Sequence, residues 1–358
     1  MIPIAQPHIG PEEQKVVQEV LASGMLAQGP QVAAFEEAFA DFMGVEHAVA
    51  VASGTEAIRL ALLAIGVGPN SEVIIPAFTF VATATAVMMT GAEPVIVDVE
   101  EETFCMDPVA AEAAVTRKTK AIMPVHLYGH PADMAPLLDI CQDRDLDLVE
   151  DAAQSHGARW KDRRTGSVGE VGCFSFYPTK NMTTGEGGAV TTSTPEVAER
   201  LRMLRQHGLA GPYQYRMLGY NSRMTDIEAA IGLVQLGKLE GFNTARRMNA
   251  ETLTEFMQDV VKTPTTAPWA EHVFHQYTIR SEDRDGLWDH MRKREVGCGV
   301  YYPHPLSEIP ILEGKSRVAG GVEVATRLSH EVLSLPVHPG LSSMDVETVA
   351  MAVREFHR

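Results

Sequence analysis

Long apolar runs are missing from this 358-residue sequence. The longest weakly charged stretch, Phe78 to Val97, contains Gly91, Glu93 and Pro94. That make-up predicts a helix followed by a buried strand rather than a membrane span. Cysteine is scarce. The four residues, Cys105, Cys141, Cys173 and Cys298, include no two at metal-ligand or redox spacing. No metal site is expected, and a reduced intracellular protein is the simplest expectation. Basic residues are few, with 30 Lys and Arg against 47 Asp and Glu. The net charge of −17 argues against nucleic acid or an anionic membrane as partner, because phosphates would be repelled. A secretory signal is not visible: Met1 to Pro11 carries Pro3, Pro7 and Pro11 where a basic start and an apolar run would stand. A cytoplasmic location is therefore the default. No G-x-G-x-x-G follows the first strand, which speaks against a Rossmann nucleotide binder. Internal repeats are absent as well.

What is present fits a soluble enzyme, with 45% hydrophobic and 22% charged residues. Helical patterns alternate with short β-branched runs through the first two thirds. Val32 to Met43 predicts a helix stopped by Gly44. His47 to Val51, Glu72 to Ile75, Glu93 to Val97, Lys120 to Val125 and Leu146 to Val149 predict strands. These strands are nearly continuously apolar. Such alternation implies an α/β fold, with a mostly parallel central sheet sandwiched by helices. A second pattern begins near residue 240. Glu240 to Met257 predicts a long connecting helix. After it come a strand at His275 to Arg280 and a helix at Leu287 to Glu295, then Val300 to Tyr302 and a Pro-rich loop. Helices at Gly321 to Val332 and Ser343 to Phe356 end the chain. The expected division is a large domain, 1–240, and a smaller C-terminal α+β domain, 241–358.

Three segments place reactive groups at strand ends, where ligands sit in open α/β sheets. Val49-Ala50-Val51-Ala52-Ser53-Gly54-Thr55 opens a strand into a helix whose free N–H groups suit a phosphate. An ordinary Ser or Thr cap would look the same. Leu148-Val149-Glu150-Asp151 ends a strand in two acids. A carboxylate there can keep a pyridine nitrogen protonated, or it can simply cap a helix. Phe174-Ser175-Phe176-Tyr177-Pro178-Thr179-Lys180 carries a lysine after an alternating strand, followed by Gly185-Glu186-Gly187-Gly188. A lone lysine is usually a solvated surface residue. Taken together, the segments supply a phosphate seat, an acid for a ring nitrogen and an amine for an imine.

These residues resemble the sugar aminotransferases of the DegT/DnrJ/EryC1/StrS family. The likeness runs through Gln28-Gly29-Pro30, Ser53-Gly54-Thr55-Glu56-Ala57, Pro76-Ala77-Phe78-Thr79-Phe80 and His126-Leu127-Tyr128-Gly129. It continues through Glu150-Asp151-Ala152-Ala153-Gln154, Asn221-Ser222-Arg223-Met224-Thr225-Asp226 and Leu335-Pro336-Val337-His338-Pro339. The resemblance implies a pyridoxal-phosphate (PLP)-dependent transferase of fold type I. Its implied residues are Lys180 as the Schiff-base lysine and proton shuttle, and Asp151 on the pyridine nitrogen. Gln154 would lie near the ring hydroxyl and Phe80 would stack on the ring. Gly54, Thr55 and Ser175 would hold the phosphate, and Asn221 would reach it from the neighbouring subunit of a homodimer with shared sites. Glu186 stands where many relatives have Asp. The implied reaction is ping-pong, with glutamate as amino donor and a nucleotide-linked keto sugar as acceptor. Among relatives, the loop Val300 to Leu306, with Tyr301 and His304, is most similar to that of enzymes acting on 3-keto sugars, including 3-keto uronates. Arg223 and His207 stand where a substrate contact, a structural salt bridge or a helix cap would each fit. A dehydratase of the same fold would carry His in place of Lys180. A non-catalytic PLP-bound regulator that binds DNA is disfavoured by the charge and by the lack of a basic helix-turn-helix.

Overall fold

The structure of the protein, a computed structural model, describes residues 1–357. Its centre is an eight-stranded sheet. The strands are β1 (His47–Val51), β2 (Glu72–Pro76), β3 (Glu93–Val97), β4 (Thr119–Ile122), β5 (Asp147–Asp151), β6 (Val171–Ser175), β7 (Gly188–Thr192) and the short β9 (Arg317–Val318). Their order is β1-β7-β6-β5-β4-β2-β3-β9. Every neighbouring pair from β6 to β9 is parallel, and only β7 runs antiparallel to its two neighbours. The inner positions of these strands, Val73 to Ile75, Val95 to Val97 and Leu148 to Val149, are apolar because both faces are buried.

Helices cover both faces. On one side α3 (Gly54–Ala64), α4 (Ala82–Met89) and α7 (Pro195–Arg205) supply the largest core, built around Leu60, Leu62, Ile75 and Ile96. On the other, α5 (Pro108–Ala114) and α6 (Met134–Arg144) pack over Ile74, Val95 and Ile122. A third core joins α2 (Pro30–Met43) to the sheet through Phe35, Phe39, Phe174 and Phe176. Their rings meet edge-on at 5.0–5.5 Å, an arrangement that aromatic quadrupoles favour.

The start of α2 explains one motif of the sequence. Asp226 Oδ1 accepts hydrogen bonds from Gly29 N (2.8 Å) and Val32 N (3.0 Å), so a carboxylate nearly two hundred positions away caps the helix. A Cβ at Gly29 would lie 2.6 Å from Asp226 Oδ2. Only glycine admits that approach, and Pro30 then sets the first helical turn.

The long helix α8 (Asp226–Met257) runs unbroken for 32 residues. The expected connecting helix, Glu240 to Met257, is the C-terminal part of this one, which begins at Asp226 and runs on through Gly237 and Gly241. Nothing lies within 4 Å of either glycine's missing Cβ, and the flanking apolar contacts carry the helix across them. The expected boundary near residue 240 falls inside α8. Its last turns join a fourth core with β8 (Tyr277–Arg280), α9 (Arg284–Lys293), β10 (Val332–Leu335) and α11 (Ser343–Phe356). One expectation here is corrected. The helix expected at Gly321 to Val332 is α10 (Glu323–Glu331), and Val332 leaves it for β10, which pairs antiparallel with β8. Val300 to Tyr302 forms no strand; a single bridge, Gly299 to Ser334, is all that pairs there. Among the described residues, no helix is long and apolar enough to cross a membrane, and no cluster of metal-ligating side chains occurs.

Candidate active site

The C-terminal ends of β1, β5 and β6 open into a cavity of about 570 Å³. It is lined by Gly54, Thr55, Phe80, Asp151, Gln154, Ser175, Lys180 and Tyr301. Every one of these was singled out by the sequence. Small residues make the convergence possible. A Cβ on Gly54 would lie 2.5 Å from the Ser175 Cβ, and one on Gly188 would lie 2.4 Å from the Ser53 carbonyl. The turn before α3 therefore settles directly onto the ends of β6 and β7.

At one end of the cavity α3 begins. Ser53 caps the helix by accepting from Glu56 N (3.2 Å). The N–H groups of Gly54 and Thr55 lie outside the helix's own ladder. With the helix dipole and the Thr55 and Ser175 hydroxyls nearby, they form an anion seat. This donor set fits a phosphate.

At the other end lies Asp151, almost wholly buried. Its Oδ2 accepts from Thr83 Oγ1 (2.9 Å) and its Oδ1 from Ala153 N (3.2 Å). Burial pushes its pKa up, and these hydrogen bonds together with Lys180 oppose the rise. Burial lowers the Lys180 amine to about 8, against the pull of Asp151. An amine so placed gives up its proton far more readily than a free lysine, as a nucleophile or proton shuttle requires.

Glu150, the other acid at this strand end, is differently employed. Successive strand side chains point to opposite faces. Its Oε1 accepts from Val168 N (2.6 Å) and Gly169 N (2.7 Å), and its Oε2 from Gly166 N (2.7 Å) and His126 Nε2 (2.9 Å). His126 Nδ1 accepts from Ala132 N (3.0 Å), so the imidazole proton sits on Nε2. All of this is buried away from the cavity. Asp151 is thus the acid that faces it.

The amide of Gln154 is fixed in orientation. Its oxygen accepts from Tyr128 N (2.9 Å), and its nitrogen donates to the Tyr302 hydroxyl (3.1 Å). The second amide hydrogen remains for a ligand oxygen. The Tyr128 hydroxyl in turn donates to the Tyr301 carbonyl. Tyr302, Thr79 and Thr83 also line the cavity; the first two stand in motifs that the sequence displays but are given no role of their own there. The Pro-x-x-Thr-aromatic motif contains Thr79, but nothing local marks Thr83.

Three expected residues lie outside this cavity. His304 is exposed and pairs with Glu308 (3.4 Å). Asn221 is exposed and bridges to Gln206, and Arg223 bridges to Val51. Neither caps α8; Thr225 does, in a capping box with Glu228. His207 also stands apart, exposed, with φ 57°.

Buried imidazoles surround the site and give a pH prediction. His130 Nδ1 donates to the Pro131 carbonyl (2.7 Å) and Nε2 accepts from Ala267 N (3.1 Å), which leaves no room for a second proton. Burial lowers it to about 4, and lowers His156, packed between Phe174 and Phe176, to about 3. The unfolded chain takes up these protons near pH 6.5. Stability is therefore complete above that pH and is lost as pH falls toward 4 and 3. Each imidazole contributes about 1.4 kcal/mol per pH unit in that window. Urea midpoints should fall steeply between pH 6 and 4, and His156→Phe should flatten the fall. An unchanged slope in the variant would remove His156 from the account.

Comparison with known proteins follows the same lines. Residues 7–354 match the DegT/DnrJ/EryC1/StrS aminotransferase family. The chain is 41% identical over 348 residues to a dTDP-3-amino-3,4,6-trideoxy-alpha-D-glucose transaminase of Streptomyces venezuelae, covering 96% of this chain and 92% of that one. It superposes on S. venezuelae DesV, solved in complex with a ketimine intermediate, with TM-score 0.94 at 41% identity, covering 97% and 94% of the two chains. It also superposes on the PLP-form of a sugar aminotransferase, Spr1654 of Streptococcus pneumoniae, with TM-score 0.94 at 28% identity, covering 99% and 98%. The chain belongs to the DegT/DnrJ/EryC1/StrS aminotransferase family.

Proposed function

We propose that the protein is a PLP-dependent aminotransferase that moves an amino group from glutamate to a nucleotide-linked keto sugar, with a 3-keto sugar preferred. The observation that carries this reading is one cavity holding a helix-terminal anion seat, a buried carboxylate and a half-buried amine. PLP, when bound, supplies a carbonyl that condenses with amines and a ring that accepts electrons. The chain's own residues do the rest. Gly54, Thr55 and Ser175 hold the phosphate. Asp151 keeps the ring nitrogen protonated. Gln154 donates to the ring hydroxyl, and Phe80 covers the ring. Lys180 Nζ would form the imine with the cofactor and, once released, carry the proton of the 1,3-transfer. Tyr301, Arg223 and His304 are the substrate-side groups. Residues 1–240 form the cofactor-binding unit and 241–358 the smaller unit, joined through α8. The test is amino transfer from glutamate to UDP- and dTDP-linked 3-keto sugars, read by the amino sugar formed. Transfer to none of these, or only to 4-keto sugars, would contradict the substrate assignment.

The active unit in this reading is a homodimer whose sites are shared. Among the described residues, the only cationic side chain lining the cavity is Lys180, too little for a substrate carrying two phosphates. Phe80 is 53% exposed and Leu218 78% exposed in the single chain, and large apolar surface of that kind suits a two-fold interface. Asn221 and Arg223 then reach the partner's site. Mixing Lys180→Ala subunits with Asn221 variants crippled in cofactor binding tests this. One site of each mixed dimer keeps both groups, so partial activity should return. Verified mixed dimers without any recovery would refute the shared site.

A further inference from the structure

A buried carboxylate is poorly held unless its lone pairs are met. Asp151 Oδ2 is met by a single hydroxyl, Thr83 Oγ1, at 2.9 Å. Behind that hydroxyl stands another: Thr79 Oγ1 lies 3.1 Å from Thr83 Oγ1. Thr83 is 1% exposed and Thr79 3% exposed. Both are placed by the start of α4, one turn apart, with Thr83 N donating to the Phe80 carbonyl. A hydroxyl has one proton to give. Thr83 spends it on Asp151, so Thr79 must donate to Thr83. The chain therefore has a direction, Thr79 to Thr83 to Asp151, for as long as Asp151 is ionised. Protonated Asp151 would reverse it.

We propose that Thr83 is a positioning residue that keeps the Asp151 carboxylate ionised and aimed into the cavity, with Thr79 as its outer support. This rests on the reading of Asp151 as the acid of the site. The titratable groups around Asp151 are Lys180, His126, Tyr302, Cys173 and its chain neighbour Glu150. Of these, Lys180 is the cation, and the two ring nitrogens of His126 are taken up by Glu150 and by Ala132 N. Cys173 and Tyr302 are pushed well away from ionising, mainly by burial. No other side-chain hydroxyl donates to Asp151. Removing the Thr83 hydroxyl therefore leaves Oδ2 without a side-chain donor. A hydrogen bond to a charged group is worth about 1.5–3 kcal/mol, which is roughly one to two pH units of titration.

The test uses Thr83→Val, which keeps the shape and removes the hydroxyl, and Thr83→Ser, which restores it. In apoprotein carrying ¹³C-carboxyl aspartate, the Asp151 resonance is identified by its loss in Asp151→Asn. Its midpoint should rise by about one pH unit or more in Thr83→Val and return in Thr83→Ser. Thr79→Val should give a smaller rise of the same sign. In the loaded enzyme, Thr83→Val should lower kcat by about tenfold or more with KM for the keto sugar nearly unchanged, and the acid limb of the pH profile should move upward. An unmoved Asp151 titration in a folded Thr83→Val protein would overturn the inference. So would failure of Thr83→Ser to restore it. The apoprotein titration stands even if the protein takes up no PLP, an outcome that would sink the proposed function instead.

Discussion

Replacing Lys180 with Ala should abolish amino transfer while leaving the fold and much of the cofactor affinity in place. Turnover should fall by about four powers of ten or more, because in the proposed function one residue acts as both nucleophile and proton carrier. The α3 terminus, Thr55, Ser175 and Gln154 are untouched by the change, so equilibrium dialysis should still detect PLP. Added small amines should restore a little activity, since the cavity left by the side chain opens onto Asp151. Lys180→Ala protein that transfers amino groups at the wild-type rate would remove Lys180 from the chemistry.

The second large effect is at Asp151. Asp151→Asn keeps the volume and the hydrogen bond from Ala153 N but removes the charge. Loss of one partner from a buried charge pair costs about 3–5 kcal/mol, roughly two to four powers of ten in rate. Both half-reactions should slow together, because both draw on the same ring. Glu150 cannot take over. Its two oxygens already accept three backbone N–H groups and the His126 imidazole on the opposite face of β5. Stopped-flow measurement of each half-reaction separates the cases. Near-normal rates in Asp151→Asn would mean that some other group protonates the ring.

The parts of this fold that were legible in the sequence share one property: their signals are local. Val346, Val349, Ala350 and Val353 repeat at helical spacing, and Ser342 with Asp345 caps them, so α11 matches the expected Ser343 to Phe356. The apolar strands β1, β2 and β3 are equally plain, because burial on both faces leaves nothing else for Val and Ile to signify. Where pairing decides, the reading failed. The expected helix includes Val332, and only the ladder of Val332 to Leu335 with Tyr277 to Arg280 takes that residue into a strand. The same holds for the site. Lys180, Asp151 and Gln154 are visible at strand ends, in motifs that punctuate the chain. Thr83 and Tyr302 acquire meaning only through Asp151 and Gln154, 68 and 148 positions away. Asn221, Arg223 and His304 lie outside the cavity of their own chain, consistent with the proposed contribution of a second copy.

The central claim is that Lys180 is the amine that joins the cofactor. Borohydride reduction of the PLP-loaded protein, followed by proteolysis and mass spectrometry, tests it most directly. The account predicts a single pyridoxyl-modified peptide containing Lys180. A modified peptide centred on any other lysine, or none from protein that demonstrably holds PLP, would contradict it.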